Sequence, residues 1–383
     1  MNKKQSCLII AGEKSGEEHA ESFLPSLINE LPEYQFYGLG GERFNKLGVD
    51  LIADLSELST WGITGALKKI PFYLKLLDQV VEEVKKRETK VAILIDYQGF
   101  NLKLAEKISP LGVKVLYYVA PQAWGWKPWR VKKLINFTHT LFTIIPFEKK
   151  WFQDRGVQKV ISAPHPIYIN HLDKKKNFKR ESLSLNNKKE INILLLPGSR
   201  NSEVRTLLPL MIETLQKLKV KYTQISSTLI KSPSVKEKYY DIYSDEIDHI
   251  KNNENLIEEL KTADLCIAAS GTVTLFAAFF YLPTVVIYKT DLFTSLVIRT
   301  LQIYHGPAAL SNIFLDQSYV YPELIQEDAT SAQLLYQVDN FIFDYQKYRD
   351  TIERLQKIDL KMKGEGISIK EYMLAEISKS YED

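Results

Sequence analysis

Two series of short apolar runs constrain this chain more than any other feature. Each run ends in a polar or glycine-bearing turn, and most lead into a helical pattern. The first series is 6–11 (SCLIIA), 35–39, 91–95 (VAILI), 114–119 (KVLYYV) and 140–145 (TLFTII). The second is 191–196 (INILLL), 264–268 (DLCIA) and 284–288 (TVVIY). A strand that is apolar at every position needs cover on both faces. Helical text at 66–86 and 102–109, then at 202–219 and 272–281, supplies it. The pattern predicts an α/β protein with two Rossmann-like parallel sheets in tandem. At about 100–200 residues per domain, 383 residues suit two domains. The expected boundaries are 1–170, a linker at 171–190, a second domain at 191–345, and helices at 346–383 that pack back on the first domain or on a partner chain. The linker is read from HLDKKKNFKRESLSLNNKKE, with seven basic and three acidic residues and few large apolar ones. A membrane-surface patch is the alternative reading of that stretch.

Composition narrows the function classes. Lys and Arg number 50 against 47 Asp and Glu, so the net charge of +3 does not suggest a nucleic-acid partner. Cys7 and Cys266 are the two cysteines, which excludes a disulfide framework and suits a reducing compartment. No CxxC, HxH or HExxH occurs, and the histidines are scattered, so no metal site is expected. The apolar stretch after Lys3 and Lys4 is too short for a signal peptide. Residues 265–288 hold no charge over 24 positions, long enough to span a bilayer. Ser270-Gly271-Thr272 and Leu282-Pro283 inside them predict strand, turn, buried helix and strand instead.

Ligands of doubly wound sheets bind beyond the carboxyl ends of the strands, so the turns there carry the candidate chemistry. Ala11-Gly12-Glu13-Lys14-Ser15-Gly16 combines close backbone approach with a helix start, where Ser15 precedes the helix and Glu18 sits at the capping-box position. It lacks the glycine before Lys14 that a P-loop needs. Gly38-Leu39-Gly40-Gly41 likewise fails the dinucleotide fingerprint at Arg43. Asp96, directly after an apolar strand, is placed to act as a general base or to hold one. Its alternative is an ordinary turn residue. Leu196-Pro197-Gly198-Ser199-Arg200 followed by Glu203 reads as a phosphate turn, with Arg200 as a bidentate donor and Ser199 or Asn201 as the helix cap. Ser270-Gly271-Thr272 opens a second helix, so two helix starts could grip a diphosphate together. The segment YYVAPQAWGWKPWRVKK, with Trp124, Trp126, Trp129 and Lys133, suits a lipid headgroup interface, as does the amphipathic run 61–86.

Eight strings in collinear order resemble the lipid-A-disaccharide synthase family. AGEKSGEE is similar to its AGExSGD, IDYQGFN to IDxPDFN, YYVAPQAWGW to YxxSPxxWAW and APHPI to GHPL. LLPGSRNSEV is similar to LLPGSRxxEI, ASGTVTLF to SGTxxLE, PTVVIYK to PMVVxYK, and SNIF with YPELIQ to a late NLL…ELLQ segment. The resemblance implies a GT-B fold, with an acceptor in the N-terminal domain and a UDP-sugar in the C-terminal one. It implies an inverting, metal-free transfer without a cofactor. UDP-2,3-diacylglucosamine and 2,3-diacylglucosamine 1-phosphate would give a β-1,6-linked disaccharide 1-phosphate and UDP at the cytoplasmic face of the inner membrane.

On this reading Asp96 is the base and Glu13 its second candidate. The donor is expected at Gly198, Ser199, Arg200, Glu203, Ser270, Gly271 and Thr272, and at Asn312, Glu323 and Gln326 of the late segment. The acceptor and membrane are expected at Ser15, Gly16, Asn101, Trp124, Trp126 and Lys133. A homo-oligomer stays open. The chain departs from the family strings at Glu17 (Asp there), Gly99 (Asp), Phe276 (Glu) and Gln317 (Arg). Those departures motivate one alternative, a substrate-divergent or catalytically impaired homologue that binds UDP-sugar or lipid.

Overall fold

The computed structural model describes residues 5–55, 70–125, 127–181, 184, 187–289 and 306–382. Trp126 and residues 61–69 of the amphipathic run lie outside them. The chain forms two compact units, one of residues 1–170 and 362–383, the other of 171–361.

The first unit is built on a seven-stranded, all-parallel sheet. In chain order its strands are β1 (Gln5–Ala11), β2 (Tyr34–Gly40), β3 (Asp50–Asp54), β4 (Val91–Ile95), β5 (Lys114–Tyr118), β6 (Thr140–Thr143) and β7 (Val160–Ser162). They lie in the order β3-β2-β1-β4-β5-β6-β7. Alternation along β1 divides the core: Leu8 and Ile10 join the apolar cluster on one face, and Cys7, Ile9 and Ala11 join the cluster on the other. One cluster holds Leu76, Val80 and Val84 of the helix Ile70–Arg87 together with Leu104 and Ile108 of Gln98–Ile108. The other holds Phe23, Leu27 and the C-terminal residues Ile369, Met373 and Ile377.

The second unit repeats the plan with β8 (Ile191–Leu196), β9 (Ile225–Lys231), β10 (His249–Asn252), β11 (Leu265–Ala269), β12 (Thr284–Tyr288) and β13 (Glu323–Ile325), in the order β10-β9-β8-β11-β12-β13. Both sheets turn back at their first strand, the switch point of a doubly wound fold. The uncharged stretch 265–288 forms β11, the helix Thr272–Phe279 and β12. No described helix is long and apolar enough to cross a membrane.

The stretch 171–190 is not a uniformly solvated linker. Its first residues complete the helix Pro166–Lys175. Lys175 is buried, 3.8 Å from the Tyr281 ring centroid, and paired with Asp359. Phe178 meets Phe280 edge to face at 5.8 Å. Arg180 donates to Phe280 O (3.0 Å), Ala263 O (2.6 Å) and Leu260 O. These carbonyls close the helices Leu256–Thr262 and Thr272–Phe279, whose last turns lack intrahelical donors. The charge that reads as solvation is therefore spent on two helix ends.

The C-terminal residues divide between the units. The helix Tyr345–Leu355 stays with the second, where Tyr348 Oη donates to Asp264 O at 3.0 Å. The helix Ile369–Lys379 packs in the first. Its Glu376 accepts Lys159 at 2.8 Å and lies 3.2 Å from His139 and 3.4 Å from Lys114, all at the leading ends of β5, β6 and β7. Burial raises the Glu376 pKa, but these cations outweigh it and hold the carboxyl at about 2, below its ordinary 4.5. The stabilisation is complete above the unfolded value and lost as pH falls through about 2. Glu376→Gln is expected to lower stability at neutral pH by about 1–2 kcal/mol and to flatten the stability profile between those values, measured by urea unfolding. An unchanged acid limb would exclude Glu376 as its source.

Candidate functional site

In the first unit, register brings two carboxylates to one sheet edge. Ala11 of β1 pairs with Ile95 of β4, so Glu13 and Asp96 leave neighbouring strands side by side. Asp96 and Tyr97 are both left-handed, with φ of 45° and 44°. Such residues without glycine cost about 1–3 kcal/mol each and persist only where the surroundings hold them. Asn101 Nδ2 donates to Ile95 O (3.1 Å) and Asp96 O (2.9 Å). Tyr117 Oη also donates to Asp96 O, at 2.8 Å. Burial first, then the Glu13 charge, raises the Asp96 pKa from 3.8 to about 6. A half-buried carboxyl that ionises near neutrality can accept a proton from a hydroxyl.

The surroundings are aromatic. Tyr97 stacks on Phe100 at 5.6 Å and lies 6.3 Å from Tyr73. Gly12 makes room for it, since a Cβ there would fall 2.1 Å from the Tyr97 ring. Arg130 bonds Gln98.

The structure corrects the helix cap expected here and places the other candidates of this unit. The helix begins at Lys14, not after Ser15; Glu13 takes the N-cap position, and Glu18 pairs with Arg43 at 3.1 Å. Ser15 is exposed and Gly16 buried, 3.2 Å from Ala11 for a Cβ placed there. Trp124 is no free membrane anchor: its indole donates to the buried Glu148 at 2.8 Å, and its ring meets Phe147 at 5.1 Å. Glu148, absent from the sequence reading, is pushed up to about 8 by burial. Lys133 pairs with Glu106. Asn101 is fully buried and acts on backbone rather than facing solvent.

In the second unit, Leu196 of β8 pairs with Ala268 of β11, and Tyr288 of β12 with Ile325 of β13. The turns at 197–200, 270–272 and 326 therefore share the carboxyl edge. Arg200, rather than Ser199 or Asn201, takes the N-cap position of the helix Asn201–Lys221, and Glu203 in the first turn bonds back to it. Its carboxylate accepts Ser199 N (2.9 Å), Arg200 N (3.2 Å) and Arg200 Nη1 (2.9 Å). Two of the amides read as phosphate donors are thus bound internally, while the Arg200 side chain is 78% exposed. Gly198, at φ 116°, lets Glu203 close in, since a Cβ would lie 2.4 Å from its Oε2.

Ser270 Oγ donates to Ala308 O at 3.0 Å. Glu323 accepts Ala308 N (2.8 Å), Ala309 N (3.0 Å) and Asn312 Nδ2 (2.7 Å). Ser270, Asn312 and Glu323 thus form one network around residues 308–309. Gly271 faces open space and Thr272 is exposed beside it. Gln326, left-handed at φ 55°, follows β13 at the same edge.

The sequence profile of lipid-A-disaccharide synthetase matches residues 7–377. The chain belongs to the lipid-A-disaccharide synthetase family. The lipid-A-disaccharide synthase of Myxococcus xanthus is 33% identical over 341 residues, covering 88% of each chain. That of Francisella philomiragia is 31% identical and covers 91% of this chain and 93% of its own. Among solved structures, the S. aureus MnaA–UDP co-structure matches with a TM-score of 0.63 at 11% identity, over 98% of this chain and 96% of that one. Spinosyn rhamnosyltransferase SpnG complexed with thymidine diphosphate matches at 0.55 and 11%, over 94% and 96%. These place the fold among GT-B glycosyltransferases and epimerases.

Three departures from the family strings can be placed in the structure. Glu17 is buried and accepts Gly41 N (2.8 Å) and Phe44 N (3.0 Å), so its longer side chain holds the turn after β2. Phe276 lies 5.2 Å from the His171 ring. At Gly99, a Cβ would meet nothing within 4 Å, so close packing does not demand glycine there.

Proposed function

We propose that this glycosyltransferase joins UDP-2,3-diacylglucosamine to 2,3-diacylglucosamine 1-phosphate, with Asp96 as general base. The acceptor's primary hydroxyl oxygen bonds the donor's anomeric carbon from the face opposite UDP. The bond from that carbon to the diphosphate oxygen breaks, Asp96 takes the hydroxyl proton, and UDP leaves with the electron pair. Arg200 and the first-turn amides of the helix Thr272–Phe279 offset the diphosphate charge. Glu203 holds the Arg200 turn, and Ser270, Asn312 and Glu323 tie the start of the helix Thr272–Phe279 to residues 308–309, with Gln326 at the same edge.

The observation that carries the reading is Asp96, a carboxyl at a strand end beside Glu13, on a left-handed turn held by Asn101 and Tyr117, in a chain of this family. The acylated substrates place the work at the inner-membrane surface. Exposed Phe72, Leu74 and Trp129, with exposed Lys75 and Lys132, suit that surface.

The test is UDP release from the purified protein with the donor, with and without the acceptor. Acceptor-dependent release and a disaccharide phosphate by mass spectrometry are expected. UDP binding with no release would favour the substrate-divergent alternative. Arg200→Ala is expected to weaken UDP binding by about 1.5–3 kcal/mol, the worth of a charge-assisted bond, measured by calorimetry. Unchanged affinity would remove Arg200 from the donor site.

A further inference from the structure

The Asp96 peptide is clamped on both sides by consecutive residues of one strand. Its N–H donates to Tyr118 O at 2.9 Å, continuing the β4–β5 ladder one residue past its end. Its carbonyl, turned by the left-handed φ, accepts the Tyr117 phenol at 2.8 Å and the Asn101 amide at 2.9 Å. Leu94 pairs with Tyr117, so the phenol reaches the turn from a core position in the adjacent strand. Tyr117 is fully buried. The phenol meets its hydrogen-bonding need by donating to the carbonyl that this left-handed residue turns toward it. Without that donor, Asn101 alone holds a carbonyl in a conformation that a non-glycine residue does not favour.

We infer that Tyr117 is a positioning residue for the Asp96 carboxylate, acting through the Asp96 backbone rather than on substrate. It fixes the left-handed turn, the turn fixes the direction of the side chain, and misplacement of a reacting group by about 1 Å is worth up to about 100-fold in rate. The inference rests on Asp96 being the base.

Tyr117→Phe removes one oxygen and keeps the packing. Turnover is expected to fall about tenfold with KM for both substrates and UDP affinity unchanged. Replacing Tyr117 by 4-aminophenylalanine, which keeps a donor at the same place, is expected to restore turnover to within about twofold. In an Asp96→Asn background, Tyr117→Phe is expected to cost less than about twofold, because there is no carboxylate left to aim. Wild-type turnover in Tyr117→Phe, with Asp96→Asn inactive, would overturn the inference alone. An equal loss in both backgrounds would also overturn it, since Tyr117 would then act independently of Asp96. Wild-type turnover in Asp96→Asn would remove the base reading first and this inference with it.

Discussion

Arg180→Met is expected to destabilise the second unit by about 2–4 kcal/mol, read from urea unfolding, while the exposed neighbour change Lys179→Ala stays within about 0.5 kcal/mol. Arg180 donates to carbonyls at the ends of two helices and, among the described residues, to no carboxylate. Methionine keeps much of the length and the apolar contact but donates to none of them. Phe280 O and Ala263 O would lose a charge-assisted partner where the helices converge, and each unpaired buried carbonyl costs about 1–3 kcal/mol. The Phe178 contact survives the substitution, which is why the figure is not larger. A loss below about 0.5 kcal/mol would mean that water reaches those carbonyls and that the stretch is the solvated linker its composition suggests.

That residue also marks where sequence reasoning stops. The buried strands β1, β4, β5, β6, β8, β11 and β12 were legible because each is apolar at nearly every position, and a parallel sheet demands that pattern. β3, with Asp at both ends, and β10 (HIKN) were not, because edge strands keep one side in water and lose the continuous signal. β7 and β13 are three residues each, too short to show a period.

The candidate site follows the same rule. The strand-end positions of Asp96 and Ser270 were legible because each stands directly after an apolar run, and that of Arg200 because it closes the short turn after another. Tyr117 and Glu148 were not. Tyr117 lies inside a strand run where an aromatic residue reads as core, and its one polar atom acts through a carbonyl 21 residues away in sequence. Glu148 sits in an ordinary helical stretch, and its bond to Trp124 exists only in three dimensions. Charge composition misled most at Arg180 and Lys175, since a count of cations cannot distinguish a solvated head from one bound to helix ends or aromatic rings.

Asp96→Asn is expected to lower turnover by about 100- to 10,000-fold while leaving UDP affinity unchanged, because the amide keeps the shape and loses the basic lone pair. Stability separates this from misfolding. Burial and the Glu13 charge raise the Asp96 pKa from 3.8 to about 6, so the folded state resists its ionisation. A carboxyl raised in this way costs stability as pH climbs through that interval, and the cost persists at neutral pH. The asparagine variant should therefore unfold at the same or a higher urea concentration than the parent at pH 7, although it is nearly inactive. The rate carries the same titration. With Asp96 acting as base, kcat/KM should rise with pH through about 6 and level off above it. Glu13→Gln removes the second-largest cause of the shift and should move that inflection to lower pH, leaving the part due to burial. Full turnover in Asp96→Asn would eliminate it as the base. An inflection that stays in place in Glu13→Gln would mean that the two carboxylates do not sense each other and that burial alone sets the shift.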